Sequence, residues 1–202
     1  MTIVVASVIS TALAVVAPTP AGAASRITSP AIAAEASRAV EVYQRWDAEQ
    51  HPADYIRFVQ IRATVAELTA AELGVRADEL DDTWSAVPEA KQVAVLAAMS
   101  QLGVPYERFE SEPGIGFDCS GLTQWAYAQA GIAINRSSRF QYRAAERIDA
   151  DEAEAGDLVY YPGHIAMYLG QGLIVHSPTT GRTVEAGAMF KRRVNFADPL
   201  GD

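Results

Sequence analysis

The sequence predicts an α+β fold in which a helical half precedes a half built from antiparallel strands. From about residue 31 to residue 102, apolar residues recur three and four positions apart, as they do on one face of a helix. After Gly156 the pattern changes to short apolar runs of strand length, with no helical pattern between them. Helices first and strands afterwards favour an α+β arrangement over alternating βαβ units.

Length and composition agree with one compact domain and an appendage. The chain has 202 residues, and half of them are hydrophobic. Its formal net charge is -9, whereas binding to nucleic acid depends on clustered Lys and Arg. We therefore expect no nucleic-acid partner.

The first residues have the character of a secretory signal peptide. Residues 3–17 are almost wholly apolar, and an Ala-Gly-Ala cleavage motif follows at 21–23. We therefore expect residues 1–23 to be a signal peptide and the protein to be exported. No Lys or Arg precedes the apolar run, since the first basic residue is Arg26, so an apolar helix packed on the domain is the alternative. No apolar run is as long as a membrane-spanning helix.

Residues 24–87 are predicted to form a helical N-terminal region that serves as scaffold. Breaks in the helical pattern fall at His51-Pro52, at Gly74 and at Val87-Pro88. Three or four helices are therefore expected before Gly103, which ends the last of them. The pattern in this region indicates no chemistry.

The only cysteine of the chain lies at the start of a later predicted helix. Asp118 is a suitable N-cap, so Cys119 falls in the first turn. A thiol there meets free backbone N–H groups and the positive end of the helix dipole, and we expect both to lower its pKa. The same N–H groups suit an oxyanion on an attacked carbonyl. A further short helix is predicted from Ser137 or Ser138 towards Arg147.

Three strands are predicted after Gly156, and they cover residues 158–161, 164–169 and 173–176. Residues 170–172, Gly-Gln-Gly, form the turn between the last two strands. Glycine at both ends favours a three-residue turn, because such turns need a left-handed residue.

Two of the three histidines lie on this predicted hairpin. A three-residue turn places Ala166 opposite His176, and strand alternation puts His164 on the same face as Ala166. The two rings are then diagonal neighbours whose tips can meet. A two-residue turn would put them on opposite faces of the hairpin.

These features lead to one hypothesis for a catalytic site. Cys119 attacks a carbonyl, His164 takes and returns the proton, and His176 holds the His164 ring in its orientation. One alternative is a cysteine that fills the core beside hydrogen-bonded strand histidines, and another is a zinc site from the same three side chains. The chain has no second cysteine to supply a further thiolate, so we expect neither a metal nor a cofactor.

Four short motifs surround these three residues. They are Phe-Asp-Cys-Ser-Gly-Leu at 117–122, Ala-Gly-Asp-Leu-Val-Tyr-Tyr at 155–161, Gly-His-Ile-Ala-Met-Tyr-Leu-Gly at 163–170 and Val-His-Ser at 175–177. In this order they resemble the NlpC-type cysteine peptidases, papain-like enzymes that cut peptidoglycan stem peptides. The resemblance implies a Cys-His-His triad at Cys119, His164 and His176. It also implies a papain-like core over residues 88–202, in which the Cys-bearing helix packs on an antiparallel sheet.

The resemblance further implies substrate-contacting residues around the triad. Tyr106 ends a Gly-Val-Pro-Tyr segment that matches the family's Gly-x-Pro-Tyr, whose tyrosine helps to hold the oxyanion. Asp118 and Ser120 flank the cysteine as they do in the family, where they contact the substrate peptide, and both also suit helix capping. Arg136 and Ser137 match part of the family's Pro-Arg-Ser-Ser segment. This match implies that Arg136 pairs with a carboxylate of the acidic stem peptide.

Two departures from the family concern loops that border the cleft. Residues 107–110, Glu-Arg-Phe-Glu, stand where the family has a Trp-Gly-Gly run, and Asn135 stands where it has proline. We expect these departures to affect the substrate subsite and to leave the chemistry unchanged.

The residues and the resemblance together predict an exported cysteine endopeptidase. It is expected to hydrolyse the γ-D-glutamyl to diamino-acid bond of peptidoglycan stem peptides through an acyl-enzyme, as a monomer, secreted or in the cell wall. Two alternatives stay open. One is an acyl or peptidyl transferase or an amidase that uses the same triad, and the other is a non-catalytic wall-binding module.

Overall fold

The structure is a computed structural model, and it describes residues 26–201. The predicted signal peptide, residues 1–23, lies outside the described residues. Within residues 26–201 the chain forms six helices and eight strands. The helices are α1 (Pro30–Glu49), α2 (Pro52–Leu73), α3 (Ala77–Ser85), α4 (Glu89–Ser100), α5 (Cys119–Gln129) and α6 (Ser138–Ala144). The strands are β1 (Ser111–Glu112), β2 (Gly116–Phe117), β3 (Glu146–Ile148), β4 (Leu158–Tyr161), β5 (His164–Gly170), β6 (Leu173–His176), β7 (Glu185–Ala188) and β8 (Asn195–Asp198).

Six of the strands form one antiparallel sheet in the order β3-β8-β4-β5-β6-β7. Helices α4 and α5 pack against β5 and β6, and the β1–β2 hairpin lies beside α5. Ile165, Met167 and Leu169 of β5 are fully buried in the core that the helices share. Helices packed on one antiparallel sheet confirm the predicted α+β class.

Two of the predicted breaks correspond to helix ends with clear physical causes. Pro52 takes the first position of α2, where the missing backbone N–H has no helical partner to lose. Gly74 follows α2 in the left-handed region, with φ 70°, and its N–H donates to the Ala70 carbonyl at 2.8 Å. No helix within residues 26–201 is both long and apolar enough to cross a bilayer.

The N-terminal helices and the sheet share one hydrophobic core. Ile32 of α1, Phe58 of α2 and Trp84 of α3 are fully buried in it. The Trp84 Nε1–H donates to the Leu169 carbonyl at 2.8 Å, which fastens α3 to the end of β5. Since His164 begins the same strand, α3 lies at the end of β5 away from the histidine.

The segment before α1 joins the edge of the sheet. Ile27 and Ala186 of β7 exchange two backbone hydrogen bonds, one of 2.8 Å from the Ile27 N–H and one of 3.0 Å from the Ala186 N–H. β7 is the last strand in the sheet order, so Ile27 covers its outer edge at this point. The neighbouring Arg26 is thereby brought close to β6, the strand that carries His176.

The β5–β6 hairpin reaches the predicted register by an unexpected route. Its turn has two residues, 171–172, where three were predicted. A β-bulge at residues 168–170 adds one residue to β5. Because Met167 pairs with Val175, the register that continues from this pair places Ala166 opposite His176. The bulge thus restores the alternation that a plain two-residue turn would reverse.

Five strands were not predicted, and α6 ends earlier than predicted. β1 and β2 have two residues each, which is too short for an alternating pattern to show. β3, β7 and β8 have the sequences Glu-Arg-Ile, Glu-Ala-Gly-Ala and Asn-Phe-Ala-Asp, which show too little apolar alternation to be recognised. α6 ends at Ala144 and does not continue towards Arg147, because Arg147 pairs with Ala197 of β8.

A buried ion cluster joins α4 to the sheet. Lys91 and Asp157 are 2% and 0% exposed. The Lys91 Nζ lies 2.7 Å from an Asp157 carboxylate oxygen and 3.0 Å from an Asp198 oxygen. Burial opposes the charge of Lys91, but the two carboxylates keep its pKa above the ordinary value. Burial raises the pKa of Asp157 to about 6 in spite of the lysine. The lysine therefore compensates a carboxylate that has no contact with solvent.

Candidate active site

Helix α5 begins at Cys119 because Asp118 caps it. The Asp118 backbone is extended, with φ -84° and ψ 175°, and one of its carboxylate oxygens accepts the Gly121 N–H at 2.7 Å. This geometry confirms the predicted cap and makes Cys119 the first residue of the helix.

The loop before α5 lies directly against this first turn. A Cβ on Gly121 would lie 2.3 Å from the Glu110 carbonyl oxygen. The same carbonyl accepts the Asp118 N–H at 3.0 Å. Glycine at position 121 therefore allows the Glu110 backbone to hold the residue that caps the helix.

A buried hydrogen bond joins the cysteine motif to the sheet. The Ser177 hydroxyl donates to the Phe117 carbonyl at 2.7 Å. Phe117 lies two residues before Cys119, and Ser177 directly follows His176. The bond therefore holds the start of α5 beside the end of β6 that carries the histidine, a role that the sequence did not assign to Ser177.

The Cys119 sulfur is partly buried against β5. Burial raises the pKa of the Cys119 thiol above its ordinary value, although hydrogen bonds from the backbone N–H groups of Ile165 and Ser120 oppose this shift. The predicted lowering of the thiol pKa is therefore wrong, because loss of solvent outweighs the helix start. Ile165 follows His164 in the chain, so the sulfur contacts the strand next to the predicted base.

The two predicted imidazoles face each other. His164 Nε2 lies 2.9 Å from His176 Nδ1, and the ring planes are inclined by 75°. This contact confirms that both rings occupy one face of the hairpin. His176 is fully buried, whereas His164 keeps partial exposure.

Aromatic rings and a guanidinium surround His164. The ring centroids of Tyr161 and Phe190 lie 6.0 Å and 6.2 Å from that of His164, and Arg192 lies over both aromatic rings. Burial, the neighbouring His176 and the charge of Arg192 lower the pKa of His164 to about 3. The ring is therefore neutral at neutral pH and has a nitrogen free to accept a proton.

A carboxylate that the sequence analysis missed continues the row of contacts. His176 Nε2 lies 3.2 Å from Glu185 Oε1, because the two residues are paired directly across β6 and β7. Arg26 Nη1 lies 3.1 Å from the same oxygen and 3.0 Å from His176 Nε2, and Arg182 also pairs with Glu185. The signal that would have revealed Glu185 is a second hairpin after His176, and the Glu-Ala-Gly-Ala sequence of β7 conceals it.

The charge states along this row follow from burial and its partners. Burial lowers the pKa of His176, although Glu185 opposes the shift. Burial also works against the charge of Glu185, but His176, Arg182 and Arg26 outweigh it, and the pKa of Glu185 lies below its ordinary value. At neutral pH a neutral imidazole therefore faces an ionised carboxylate.

Arg136 and Asp118 form an ion pair beside the thiol. Two guanidinium nitrogens of Arg136 each lie 2.8 Å from one Asp118 carboxylate oxygen. Burial opposes the ionisation of Asp118, but Arg136 and the Gly121 N–H outweigh it and hold the pKa of Asp118 below its ordinary value. The Arg136 guanidinium is thus already paired within the protein, and its predicted pairing with a substrate carboxylate stays a prediction.

The other predicted substrate residues lie near the thiol as well. Asp118, Ser120, Arg136 and Ser137 line one cavity of about 290 Å³ together with Phe109 and Ser138. Tyr106 is held by its N–H, which donates to the Arg182 carbonyl at 2.8 Å. Burial and the neighbouring acidic groups Cys119 and Asp118 raise the pKa of Tyr106, so its phenol keeps its proton and can donate it in a hydrogen bond. Within residues 26–201 no group of three or more His, Cys, Asp or Glu is arranged to hold a metal ion.

A cysteine at a helix start, set against an antiparallel sheet that carries paired imidazoles, defines the site of a papain-like cysteine peptidase. The comparison with known families agrees with this class. Residues 103–195 match the model of the NlpC/P60 family, which identifies this segment of the chain as an NlpC/P60 domain.

Curated proteins and solved structures give the same result. The chain is 40% identical over 92 residues to the bifunctional muramidase/DL-endopeptidase CwlT of Bacillus subtilis, and the aligned segment covers 42% of this chain and 28% of that protein. It is 39% identical over 92 residues to the gamma-D-glutamyl-L-lysine dipeptidyl-peptidase of Bacillus cereus, and this alignment covers 42% of this chain and 27% of that protein. The chain therefore spans less than a third of either relative. The peptidoglycan hydrolase RipB of Mycobacterium tuberculosis has a similar structure, with a TM-score of 0.52 and 25% identity over 77% of this chain and 89% of that one.

Proposed function

We propose that this chain is a cysteine endopeptidase that hydrolyses the amide bond between γ-D-glutamate and the following diamino acid in peptidoglycan stem peptides. The observation that carries the proposal is the 2.9 Å contact between His164 and His176 on a hairpin whose strand β5 contacts the Cys119 sulfur through the Ile165 N–H. A nucleophile beside a base that a third group orients is the arrangement of covalent acyl transfer. The relative named for a gamma-D-glutamyl-L-lysine bond supports this choice of substrate.

The reaction passes through a thioester. The Cys119 sulfur attacks the carbonyl carbon of the amide while its proton passes to His164, and the backbone N–H groups at the start of α5 stabilise the oxyanion together with the Tyr106 hydroxyl. Collapse of this intermediate expels the amine of the diamino acid, which takes the proton from His164. Water then attacks the thioester, with His164 again as the base, and the thiol is regenerated.

Proton transfer accompanies the attack and does not precede it. Burial raises the pKa of the Cys119 thiol and lowers the pKa of His164 to about 3, so both groups are neutral in the free protein. The imidazole therefore acts as a general base towards the thiol, as it does towards a serine hydroxyl in other hydrolases.

The substrate peptide is assigned to the cavity beside the nucleophile. Ser120 and Ser137 offer hydroxyl groups there, and the ion pair of Arg136 with Asp118 presents both charges at fixed positions. We assign Ser120, Ser137 and Asp118 to peptide binding. Arg136 is assigned to holding the Asp118 carboxylate in position.

The proposal includes the organisation of the chain. Residues 88–202 form the catalytic domain, and residues 24–87 form a scaffold, since α3 contacts the end of β5 away from His164. Peptidoglycan lies outside the cytoplasmic membrane, so the enzyme is exported by the signal peptide at 1–23 and acts as a secreted or wall-associated monomer.

The experiment is the release of soluble stem peptides from purified sacculi, followed by mass spectrometry. Cys119→Ala should lower the rate at least about 10³-fold, because it removes the nucleophile. The control is thermal unfolding followed by circular dichroism, in which the variant should match the wild type. Because Cys119 is the only cysteine, one equivalent of iodoacetamide adduct should abolish wild-type cleavage.

The same assay separates the alternatives. Undiminished cleavage by Cys119→Ala contradicts the proposal. Joined peptides in place of hydrolysed ones identify a transferase, and binding of the wild type to sacculi without cleavage identifies a wall-binding module.

A further inference from the structure

Three residues outside the predicted triad surround the buried side of His176. Glu185 is 3% exposed, and its Oε1 lies 3.2 Å from His176 Nε2. Arg26 and Arg182 both pair with Glu185, so the carboxylate is buried, charged and held from two directions. His176 in turn contacts His164 through its other ring nitrogen. Glu185, His176 and His164 therefore form one continuous row of side chains, and the backbone N–H of Ile165, the residue after His164, contacts the Cys119 sulfur.

The direction of each hydrogen bond in this row follows from the ionised carboxylate. Glu185 can only accept, so His176 must carry its proton on Nε2. The Nδ1 of the neutral His176 ring is then a lone pair, and it accepts the proton carried by His164 Nε2. The remaining nitrogen of His164, Nδ1, is left without a proton. That nitrogen is the one able to take the proton of the Cys119 thiol.

Arg26 would impose the opposite arrangement if Glu185 were absent. Its Nη1 lies 3.0 Å from His176 Nε2, and a guanidinium can only donate. With no carboxylate to accept the Nε2 proton, Arg26 would donate to Nε2 and move the His176 proton to Nδ1. His176 would then donate to His164 Nε2 and leave the proton of His164 on Nδ1, where it would face the thiol. In the wild type, Arg26 donates to Glu185 Oε1, 3.1 Å away, and the conflict is avoided.

We propose that Glu185 is a positioning residue that sets the tautomer of His176 and, through it, the tautomer of His164. It touches neither the substrate nor the thiol. It acts by keeping His164 Nδ1 unprotonated, and its catalytic consequence rests on the proposed function of Cys119 and His164 as nucleophile and base.

The first test measures tautomers in the free protein and needs no substrate. Proton–nitrogen correlation spectra of the ¹⁵N-labelled imidazole rings report which ring nitrogen carries a proton, and the chain has only three histidines. We expect a proton on Nε2 and none on Nδ1 for both His164 and His176 at pH 7. A proton on Nδ1 of either ring in the wild type overturns the proposal, even if the enzyme cleaves peptidoglycan.

The second test compares two variants of Glu185. Glu185→Met removes the acceptor, and both rings should change to the Nδ1 tautomer. We expect kcat for stem-peptide cleavage to fall by about 10- to 100-fold while KM changes little, the size of effect known for carboxylates that orient a metal-bound histidine. Glu185→Gln keeps a carbonyl oxygen, so it should keep the Nε2 tautomers and recover most of kcat.

The matched control is Glu35→Met, which makes the same exchange at a Glu–Arg pair on α1 and should leave tautomers and kcat unchanged. If Glu185→Met folds, lowers kcat and keeps the Nε2 tautomers, Glu185 acts only in packing and the proposal fails. If the wild type shows the expected tautomers without cleaving sacculi, the proposed function fails and the tautomer assignment stands.

Discussion

Replacing Lys91 by methionine is expected to destabilise the protein by about 3–5 kcal/mol, the usual effect of removing one partner of a buried ion pair. The magnitude follows from the position of Asp157, which is 0% exposed and loses the cation 2.7 Å away. Asp198 is less affected, because its side chain is 25% exposed and water can replace the lysine. In a chain of this size the loss corresponds to about 6–20 °C in Tm.

The destabilisation should depend on pH in a defined direction. Asp157 already has a pKa of about 6 in the folded wild type, above the unfolded value of about 3.9. The folded protein therefore holds this proton more tightly than the unfolded chain. The stability that Asp157 contributes is full below a pH of about 3.9 and is lost as the pH rises through about 6. Without Lys91 the folded pKa of Asp157 rises further. The difference between wild type and variant should therefore be larger at pH 8 than at pH 5.

Urea unfolding followed by circular dichroism at both pH values is the measurement. Lys91→Met combined with Asp157→Asn should recover part of the loss, because no buried charge is left without a partner. Lys191→Met is the matched control at an exposed lysine, where a change within about 0.5 kcal/mol is expected. A loss below 1 kcal/mol for Lys91→Met, or a double variant no more stable than the single one, would refute the reasoning.

Three further predictions concern the site. Since the pKa of His164 is lowered to about 3, the acid limb of the kcat/KM profile should fall well below pH 6.5, and a limb at 6.5 would show a solvated imidazole. Stability should nevertheless decrease as the pH falls below 6.5, because the unfolded chain protonates this histidine first. Gly121→Ala would place a methyl group 2.3 Å from the Glu110 carbonyl, so we expect a reduced kcat and a lower Tm, whereas Ala128→Gly on the exposed side of α5 should lower Tm alone.

Elements with strong local signals could be predicted from the sequence. Asp118 caps α5 as expected, and the alternation of β5 and β6 places His164 and His176 on one face. The histidines share a face only because two differences from the prediction cancel: the turn has two residues instead of three, and a bulge adds one residue to β5. A bulge depends on how β5 packs, so the sequence of the turn does not determine it.

The remaining features depend on contacts between distant parts of the chain. Glu185 meets His176 only because β7 pairs with β6, and Arg26 reaches both from a position 150 residues before the histidine. The raised pKa of Cys119 has the same origin, since the helix start is local whereas the burial that outweighs it comes from the sheet. Sequence periodicity carries no information about such contacts.

The two backbone hydrogen bonds between Ile27 and Ala186 also bear on solubility. They occupy donors and acceptors that an uncovered border strand would offer to a neighbouring molecule, which is a common start of intermolecular β-association. A shortened chain that begins at α1 would lose this protection and the guanidinium beside His176 in a single step. Such a chain is therefore expected to self-associate more readily than one that keeps Arg26 and Ile27.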